Sequence, residues 1–156
     1  MKKQSETVSA EIAVVIADGV KAEPVAMLLA ALSAAGVVPR LLSDRLGTIR
    51  SADGQEFEAE STLSNMPAVS FDALALPDGE QAVTRLANDG RAIEFLRDQY
   101  RRGKTILVGS ASAGLLASAG VAEKLPSGKP DPRLILCSPT RFEHQIGDFL
   151  ASVGRQ

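Results

Sequence analysis

The stretch that most constrains the fold lies at residues 104–121, where two short apolar runs flank a cluster of small residues. Residues 106–108 (Ile-Leu-Val) are wholly apolar, which is typical of a strand buried on both faces of a parallel sheet. Residues 109–114 (Gly-Ser-Ala-Ser-Ala-Gly) are small enough for the chain to turn sharply from strand to helix. The pattern predicts a turn of the nucleophile-elbow kind, with Ser110 at its tip.

Strands and helices alternate along most of the chain. Apolar runs predict strands at residues 12–17, 37–42, 71–76 and 134–137, and helical spacing predicts helices at 22–35, 89–102 and 138–153. The alternation predicts an α/β fold, a flavodoxin-like three-layer sandwich with a mostly parallel sheet and helices on both faces. We expect one domain at residues 11–156, preceded by a flexible lead-in at residues 1–10.

Residues 46–63 interrupt this alternation. Two short segments, residues 48–50 and 56–58, flank an Asp53-Gly54 pair, which is a strong signal for a hairpin turn. We therefore expect a small antiparallel β-hairpin excursion outside the main sheet.

Three further local predictions concern strand and helix ends. Pro39 lies inside a predicted strand, which favours an edge position or a strand start. Asp78, followed three residues later by Gln81, predicts a helix N-cap close to a capping box. Residues 138–140 (Ser-Pro-Thr) predict the start of the last helix.

Composition excludes several classes of partner. The 156 residues carry 17 basic and 19 acidic side chains, a balance that favours neither nucleic acid nor an anionic membrane. The single cysteine, Cys137, excludes an internal disulfide and a cysteine-rich zinc site, and no His/Cys/Asp/Glu set has metal-ligand spacing. No run approaches the roughly 20 apolar residues that cross a bilayer. We expect a cytoplasmic protein without a metal, nucleic-acid or membrane partner.

Ser110 is the candidate nucleophile. Whether it can be catalytic depends on a neighbouring general base that takes the proton of its hydroxyl. The one histidine, His144, lies on a helix whose buried side is marked by Phe142, Ile146 and Phe149, so we expect His144 on the flank or at the surface. The sequence leaves open whether it faces Ser110. The turn also lacks the Gly-x-Ser-x-Gly spacing of hydrolases and the glycine spacing of nucleotide sites, so its serines are expected to cap the helix.

Other candidate residues have structural interpretations. Cys137 ends an apolar strand and is expected to be a small buried hydrophobe. Asp18 and Asp72 are expected to serve the turn after one strand and the entry to another. Three arginines of one helix are expected to form a solvated face: Arg97, Arg101 and Arg102.

Residues 12–19, 71–79 and 106–121 resemble, in order and spacing, the PfpI-like branch of the class I glutamine amidotransferase-like superfamily. In active members that resemblance implies an elbow cysteine, a glutamate just after the first strand and usually a neighbouring histidine. Here the cysteine position is Ser110 and the glutamate position is Lys21. The resemblance therefore implies remnants of a catalytic site, with no catalytic, cofactor-binding or metal-binding residue.

Residues 17–20, 46–55 and 89–95 are more similar to one branch, the C-terminal domain of large-subunit haem catalases, which keeps the fold without the nucleophile. This resemblance implies a non-catalytic domain that acts in stability and oligomer packing, in a protein that removes hydrogen peroxide under oxidative stress. The implied partners are an attached catalase domain, which alone would hold haem, or further copies of the chain. Two alternatives stay open: a free-standing PfpI-type hydrolase or glyoxalase-type enzyme, and a small-ligand binder with a degenerate elbow at Ser110.

Overall fold

The structure is a computed structural model that describes residues 10–67 and 70–154. Its strands are β1 (Glu11–Val15), β2 (Val38–Ser43), β3 (Gly47–Arg50), β4 (Glu56–Ala59), β5 (Ser61–Thr62), β6 (Ala73–Leu76), β7 (Thr105–Val108) and β8 (Leu134–Leu136). Its helices are α1 (Ala22–Ala34), α2 (Glu80–Ala87), α3 (Gly90–Arg101), α4 (Ala113–Ser118) and α5 (Phe142–Gly154), with a 3₁₀ turn at Ser110–Ser112. The predicted lead-in lies, apart from Ala10, outside the described residues.

Six strands form one parallel sheet in the order β5-β2-β1-β6-β7-β8. Every residue of β6 and β7 is buried, as expected for central strands covered on both faces. Helices α1 and α5 contact each other on one side of the sheet, while α2, α3 and α4 contact one another on the opposite side. The predicted three-layer α/β sandwich is confirmed. Within residues 10–67 and 70–154, no helix has the length and apolar character needed to span a bilayer.

The predicted hairpin is also confirmed, as an antiparallel pair of β3 and β4 outside the main sheet. Asp18 anchors it: its carboxylate accepts two bonds from the Arg45 guanidinium, at 2.9 and 3.1 Å, and one from the Arg50 backbone N–H at 2.9 Å. These bonds hold the pKa of Asp18 below its usual value. The expected turn role of Asp18 thus extends to fixing the hairpin against the β1–α1 loop.

Pro39 lies in β2 where that strand has no outer neighbour. The Val38 N–H donates to Ala10 on the β1 side, so the next nitrogen, that of Pro39, points to the outer side. The short strand β5 covers that side only at Leu42 and Ser43. The edge prediction is therefore right locally, although β2 as a whole lies between β5 and β1.

Two predicted helix starts are wrong. Helix α2 begins at Glu80, and its N-cap is Gly79, with φ 120° and no side-chain cap, because the Asp78 carboxylate is bonded elsewhere. Helix α5 begins at Phe142 instead of residues 138–140, which lie in a turn closed by the Arg141 N–H on the Ser138 carbonyl at 3.2 Å. The sequence also gave no sign of β5.

Helix α3 packs against the core through one face. Its buried residues are Ala92, Phe95, Leu96 and Gln99, while Ile93 and Tyr100 are only partly buried. Arg97 is half-buried as well, because its Nε donates to the Ala119 carbonyl at 3.1 Å. The expected solvated arginine face is therefore wrong at Arg97, which ties α3 to the end of α4.

Candidate functional site

Three loops meet at the carboxyl edge of the parallel sheet, and glycines let them touch. A Cβ on Gly79 would lie 2.7 Å from the Gly19 carbonyl oxygen, and one on Gly109 would lie 2.4 Å from the Pro77 carbonyl oxygen. Both contacts are closer than a side chain allows. The Lys21 N–H donates to the Asp78 carbonyl at 2.9 Å and joins the first two loops directly. The sequence folds into a tight site here because small residues follow β1, β6 and β7.

Ser110 lies exposed at the tip of the turn after β7, where the sequence placed it. Its hydroxyl donates to the Cys137 carbonyl oxygen at 3.2 Å, and that of Ser112 donates to the Pro77 carbonyl, so the expectation that these serines cap the helix is wrong. A backbone carbonyl is not a base at neutral pH, so the contact with Cys137 orients the Ser110 hydroxyl without activating it.

His144 lies away from this turn. Its Nε2 is 3.7 Å from the Asp148 carboxylate one helical turn further along α5, and 68% of its side chain is exposed. The prediction that His144 lies on the flank or at the surface is confirmed. The chain has a single histidine, so no imidazole is in position to take the Ser110 proton.

The resemblance places Asp78, between Pro77 and Gly79, in the turn that often helps form an oxyanion site, but the sequence did not reveal the contacts of its carboxylate. It is buried, and its Oδ1 accepts the backbone N–H of Gly79 at 2.8 Å and that of Ala111 at 3.1 Å. Its Oδ2 lies 3.7 Å from the Nζ of Lys21, whose side chain is 58% exposed. A usable signal existed: an acidic residue between Pro77 and a glycine, directly after a fully buried strand.

Lys21 stands at the position where the resemblance implies a carboxylic acid. Its ammonium lies over Asp78 at the N-terminal end of α1. The acid of the resembling enzymes is thus replaced by a cation, while the carboxylate of this site comes from a different loop. The structure brings together Lys21, Asp78 and Ser110 and leaves His144 out.

Cys137 lies close to Ser110 but is a poor nucleophile. Burial, together with the nearby Asp78 carboxylate, raises the pKa of its thiol to about 12. Its Sγ faces the Ile135 carbonyl oxygen at 3.7 Å. The thiol therefore stays protonated at neutral pH, although Cys137 is only partly buried and not the fully buried small hydrophobe that was expected.

A cleft of about 510 Å³ opens beside Ser110 between α1 and α5. Its walls include Val25, Met27 and Phe142, and its charged residues are Lys21, Glu23, Asp53, Asp78 and Glu143. The lining contains no histidine, cysteine or tyrosine, and Met27 is its one side chain of a kind that can hold haem iron. Across residues 10–67 and 70–154, no three His, Cys, Asp or Glu side chains are grouped as metal ligands would be. The expectation that this chain carries no cofactor stays a prediction.

The parallel α/β sandwich and the elbow turn after β7 are those of a class I glutamine amidotransferase-like domain. The model of the DJ-1/PfpI family matches residues 10–127, and the chain belongs to that family.

Curated relatives that match the chain are catalases. Catalase HPII of Pseudomonas putida is 33% identical over 98 residues, which are 63% of this chain and 14% of that protein. Catalase HPII of Mycobacterium avium is 30% identical over 118 residues, which are 75% of this chain and 17% of that protein. The chain thus spans less than a fifth of the length of these relatives. The resemblance to a region of large catalases is confirmed.

Solved structures show the same fold. A ThiJ/PfpI domain protein from Brachyspira murdochii superposes with a TM-score of 0.82 at 16% identity, over 95% of this chain and 98% of that one. Drosophila melanogaster DJ-1beta superposes with a TM-score of 0.81 at 18% identity, over 94% and 92%. At these identities the likeness establishes the architecture of the chain.

Proposed function

We propose that this chain is a non-catalytic PfpI-like domain of a longer, catalase-type protein, in which it stabilises the fold and contributes to oligomer packing. The full-length protein would remove hydrogen peroxide at a haem group held by the attached catalase domain. The matched catalases support this proposal, since each aligns with the chain over only a small part of its own length.

One observation carries the non-catalytic half of the proposal: the Ser110 hydroxyl donates to the Cys137 carbonyl instead of to a base. Acyl transfer by serine needs a neighbouring group that accepts the hydroxyl proton. The histidine is on the exposed side of α5, and the position of the expected acid is occupied by Lys21. Under this proposal the chain keeps the fold of the family but has no general base beside the Ser110 hydroxyl.

Two large apolar side chains are exposed among the described residues, and the packing role would cover them. Leu46 beside the hairpin is 57% exposed and Leu136 in the edge strand β8 is 41% exposed. An edge strand with an exposed apolar side chain is suited to contact another domain or subunit.

The test uses the protein at its native length, purified from its own cells. We expect mass spectrometry to place these residues in a longer polypeptide that binds haem and decomposes peroxide. Deleting residues 11–156 from that polypeptide should lower its thermal stability and disturb its oligomeric state, while the initial rate per haem changes little. A native polypeptide of this length alone, without haem, would contradict the catalase half of the proposal.

The cleft beside Ser110 favours a second candidate, a small-ligand binder. Its volume of about 510 Å³ and its largely apolar walls fall within the range of ligand sites in proteins. Thermal shifts against a set of small apolar compounds would test this function. Replacing Met27 in the cleft wall by tryptophan should abolish any shift that arises from binding there, and a shift unchanged in that variant would contradict this location.

A further inference from the structure

Asp78 is the most enclosed charged side chain in the candidate site. The residue is 9% exposed, whereas Lys21, the cation beside it, is largely in solvent. A carboxylate buried to this degree needs hydrogen bonds to replace the water that it loses. Asp78 obtains them from two backbone N–H groups, those of Gly79 and Ala111.

These two N–H groups come from different loops and converge on one oxygen. Gly79 follows β6, and Ala111 follows the residue at the tip of the elbow, so both donors lie beside residue 110. A converging pair of backbone N–H groups next to a nucleophile is the arrangement that stabilises an oxyanion in acyl transfer. In this chain the point where they converge is filled by the carboxylate of Asp78.

We propose that Asp78 is an internal plug, whose carboxylate occupies the anion position beside residue 110 and keeps any nucleophile placed there unreactive. The inference rests on the proposed non-catalytic function and extends it, because it assigns the lack of reactivity to a second residue besides Ser110. A cysteine at residue 110 would by itself leave the site inert.

The charges around residue 110 support this assignment. The cleft that it lines contains four carboxylates and one ammonium group: Glu23, Asp53, Asp78, Glu143 and Lys21. A nearby carboxylate disfavours a thiolate and raises the pKa of a thiol. Asp78 already does so for Cys137, whose carbonyl accepts the Ser110 hydroxyl.

The test measures thiol alkylation by iodoacetamide from about pH 6 to about pH 10, which reports thiolate formation. The variants are Ser110→Cys alone and combined with Asp78→Asn or Asp78→Gly, and the wild-type chain gives the background from Cys137. We expect Ser110→Cys to react slowly and the added Asp78→Gly to raise the rate near neutral pH about tenfold or more. Asp78→Asn should lie between them, because its amide oxygen keeps the two N–H bonds without the charge.

A matched control separates the plug from the general charge of the cleft. Ser110→Cys with Glu143→Gln removes a carboxylate from the same cleft without touching the N–H pair. We expect it to change the rate by less than about threefold, because exposed charges interact weakly.

Two results would overturn the inference. One is a Ser110→Cys thiol that reacts as fast as it does with Asp78→Gly, and the other is equal reactivity of the Asp78→Asn and Asp78→Gly forms. Circular dichroism checks folding, and where Asp78→Gly does not fold, the Asp78→Asn comparison with Ser110→Cys decides. Turnover by the wild-type chain that depends on Ser110 would contradict the proposed function as well as the plug, whereas a fast Ser110→Cys thiol in a chain without such turnover would contradict the plug alone.

Discussion

At the scale of single residues, the close packing of the site requires glycine at positions where a Cβ atom would collide with a neighbouring loop. Gly109 touches the Pro77 backbone so closely that an added Cβ would lie 2.4 Å from a carbonyl oxygen. Gly114, five residues later in α4, has no atom within 4 Å of its would-be Cβ. The two positions form a matched pair within one segment.

We therefore expect Gly109→Ala to lower the free energy of unfolding by about 2 kcal/mol or more, because the elbow must move away from the β6–α2 loop. Gly114→Ala should leave stability unchanged or raise it by about 0.5–1 kcal/mol, since alanine favours the helix. Urea unfolding measures both. Equal effects of the two substitutions would contradict the close packing of the elbow.

Cys137 gives a second prediction at this scale. With a pKa of about 12, only about one thiol in ten thousand is ionised near pH 8, so the native chain should react very slowly with iodoacetamide. The same thiol should react at an ordinary rate after unfolding in urea. Fast labelling of the native chain, followed by mass spectrometry, would show that the thiol is not shielded.

Residue identities alone predicted part of the site. The position of Ser110 at the tip of the turn followed from the apolar run before it and the small residues around it. The role of Asp78 did not follow, because an aspartate before a glycine and three residues before Gln81 has the pattern of an N-cap. Its carboxylate instead bonds the N–H of Ala111, a contact across 33 positions of sequence that no local pattern contains.

At the scale of elements, the irregular segment before β8 is fixed to α3 by one charged cluster. Asp131 accepts the Tyr100 hydroxyl at 2.6 Å and two bonds from the Arg133 guanidinium, whose central carbon lies 4.3 Å from the Tyr100 ring centre. Burial acts to raise the pKa of Asp131, but the bonds from Arg133 and Tyr100 outweigh it and lower that pKa. The folded state therefore favours the ionised form.

Because of this cluster, the free energy of unfolding should fall as the pH is lowered into the acidic range. A lowered pKa in the folded state means that Asp131 stabilises the fold fully above its ordinary pKa of about 4, and that this contribution is lost as the pH falls through the folded-state value. We expect Asp131→Asn to cost about 1–3 kcal/mol at neutral pH and to cost less below about pH 4. Thermal unfolding at several pH values measures this difference.

A surface ion pair provides the control for that experiment. Asp98 pairs with Arg102 at 3.4 Å, one helical turn apart and with both side chains well exposed. Asp98→Asn should change the free energy of unfolding by less than about 0.5 kcal/mol at any pH. If the cost of Asp131→Asn were equally small, or were unchanged in acid, the cluster would not be the anchor of the loop.

Elements with a strong local pattern were predictable, and those fixed by distant contacts were not. The apolar runs of β1, β6 and β7 and the Asp53-Gly54 turn gave the sheet and the hairpin. Strand β5 has two residues and exists because it pairs with the end of β2. Helix α5 starts only after a turn in which the Arg141 N–H donates to the Ser138 carbonyl, and the Ser-Pro-Thr pattern did not predict that turn.

At the scale of the whole molecule, we propose that the fold is retained without the catalytic chemistry of the site. The chain belongs to the DJ-1/PfpI family and keeps the parallel sheet, the elbow and the cleft. The positions that the resemblance assigns to a nucleophilic cysteine and to an acid hold Ser110, bonded to the Cys137 carbonyl, and Lys21, paired with the buried Asp78. A scaffold with such a site can still serve by packing, because packing depends on its core and surface.

The most direct measurement is turnover of amide, ester and α-oxoaldehyde substrates by the wild-type chain and by its Ser110→Ala variant. Without a proton acceptor for the Ser110 hydroxyl, we expect neither protein to exceed the rate in buffer, and the two to be indistinguishable. Turnover by the wild-type chain that is lost in Ser110→Ala would contradict the non-catalytic account.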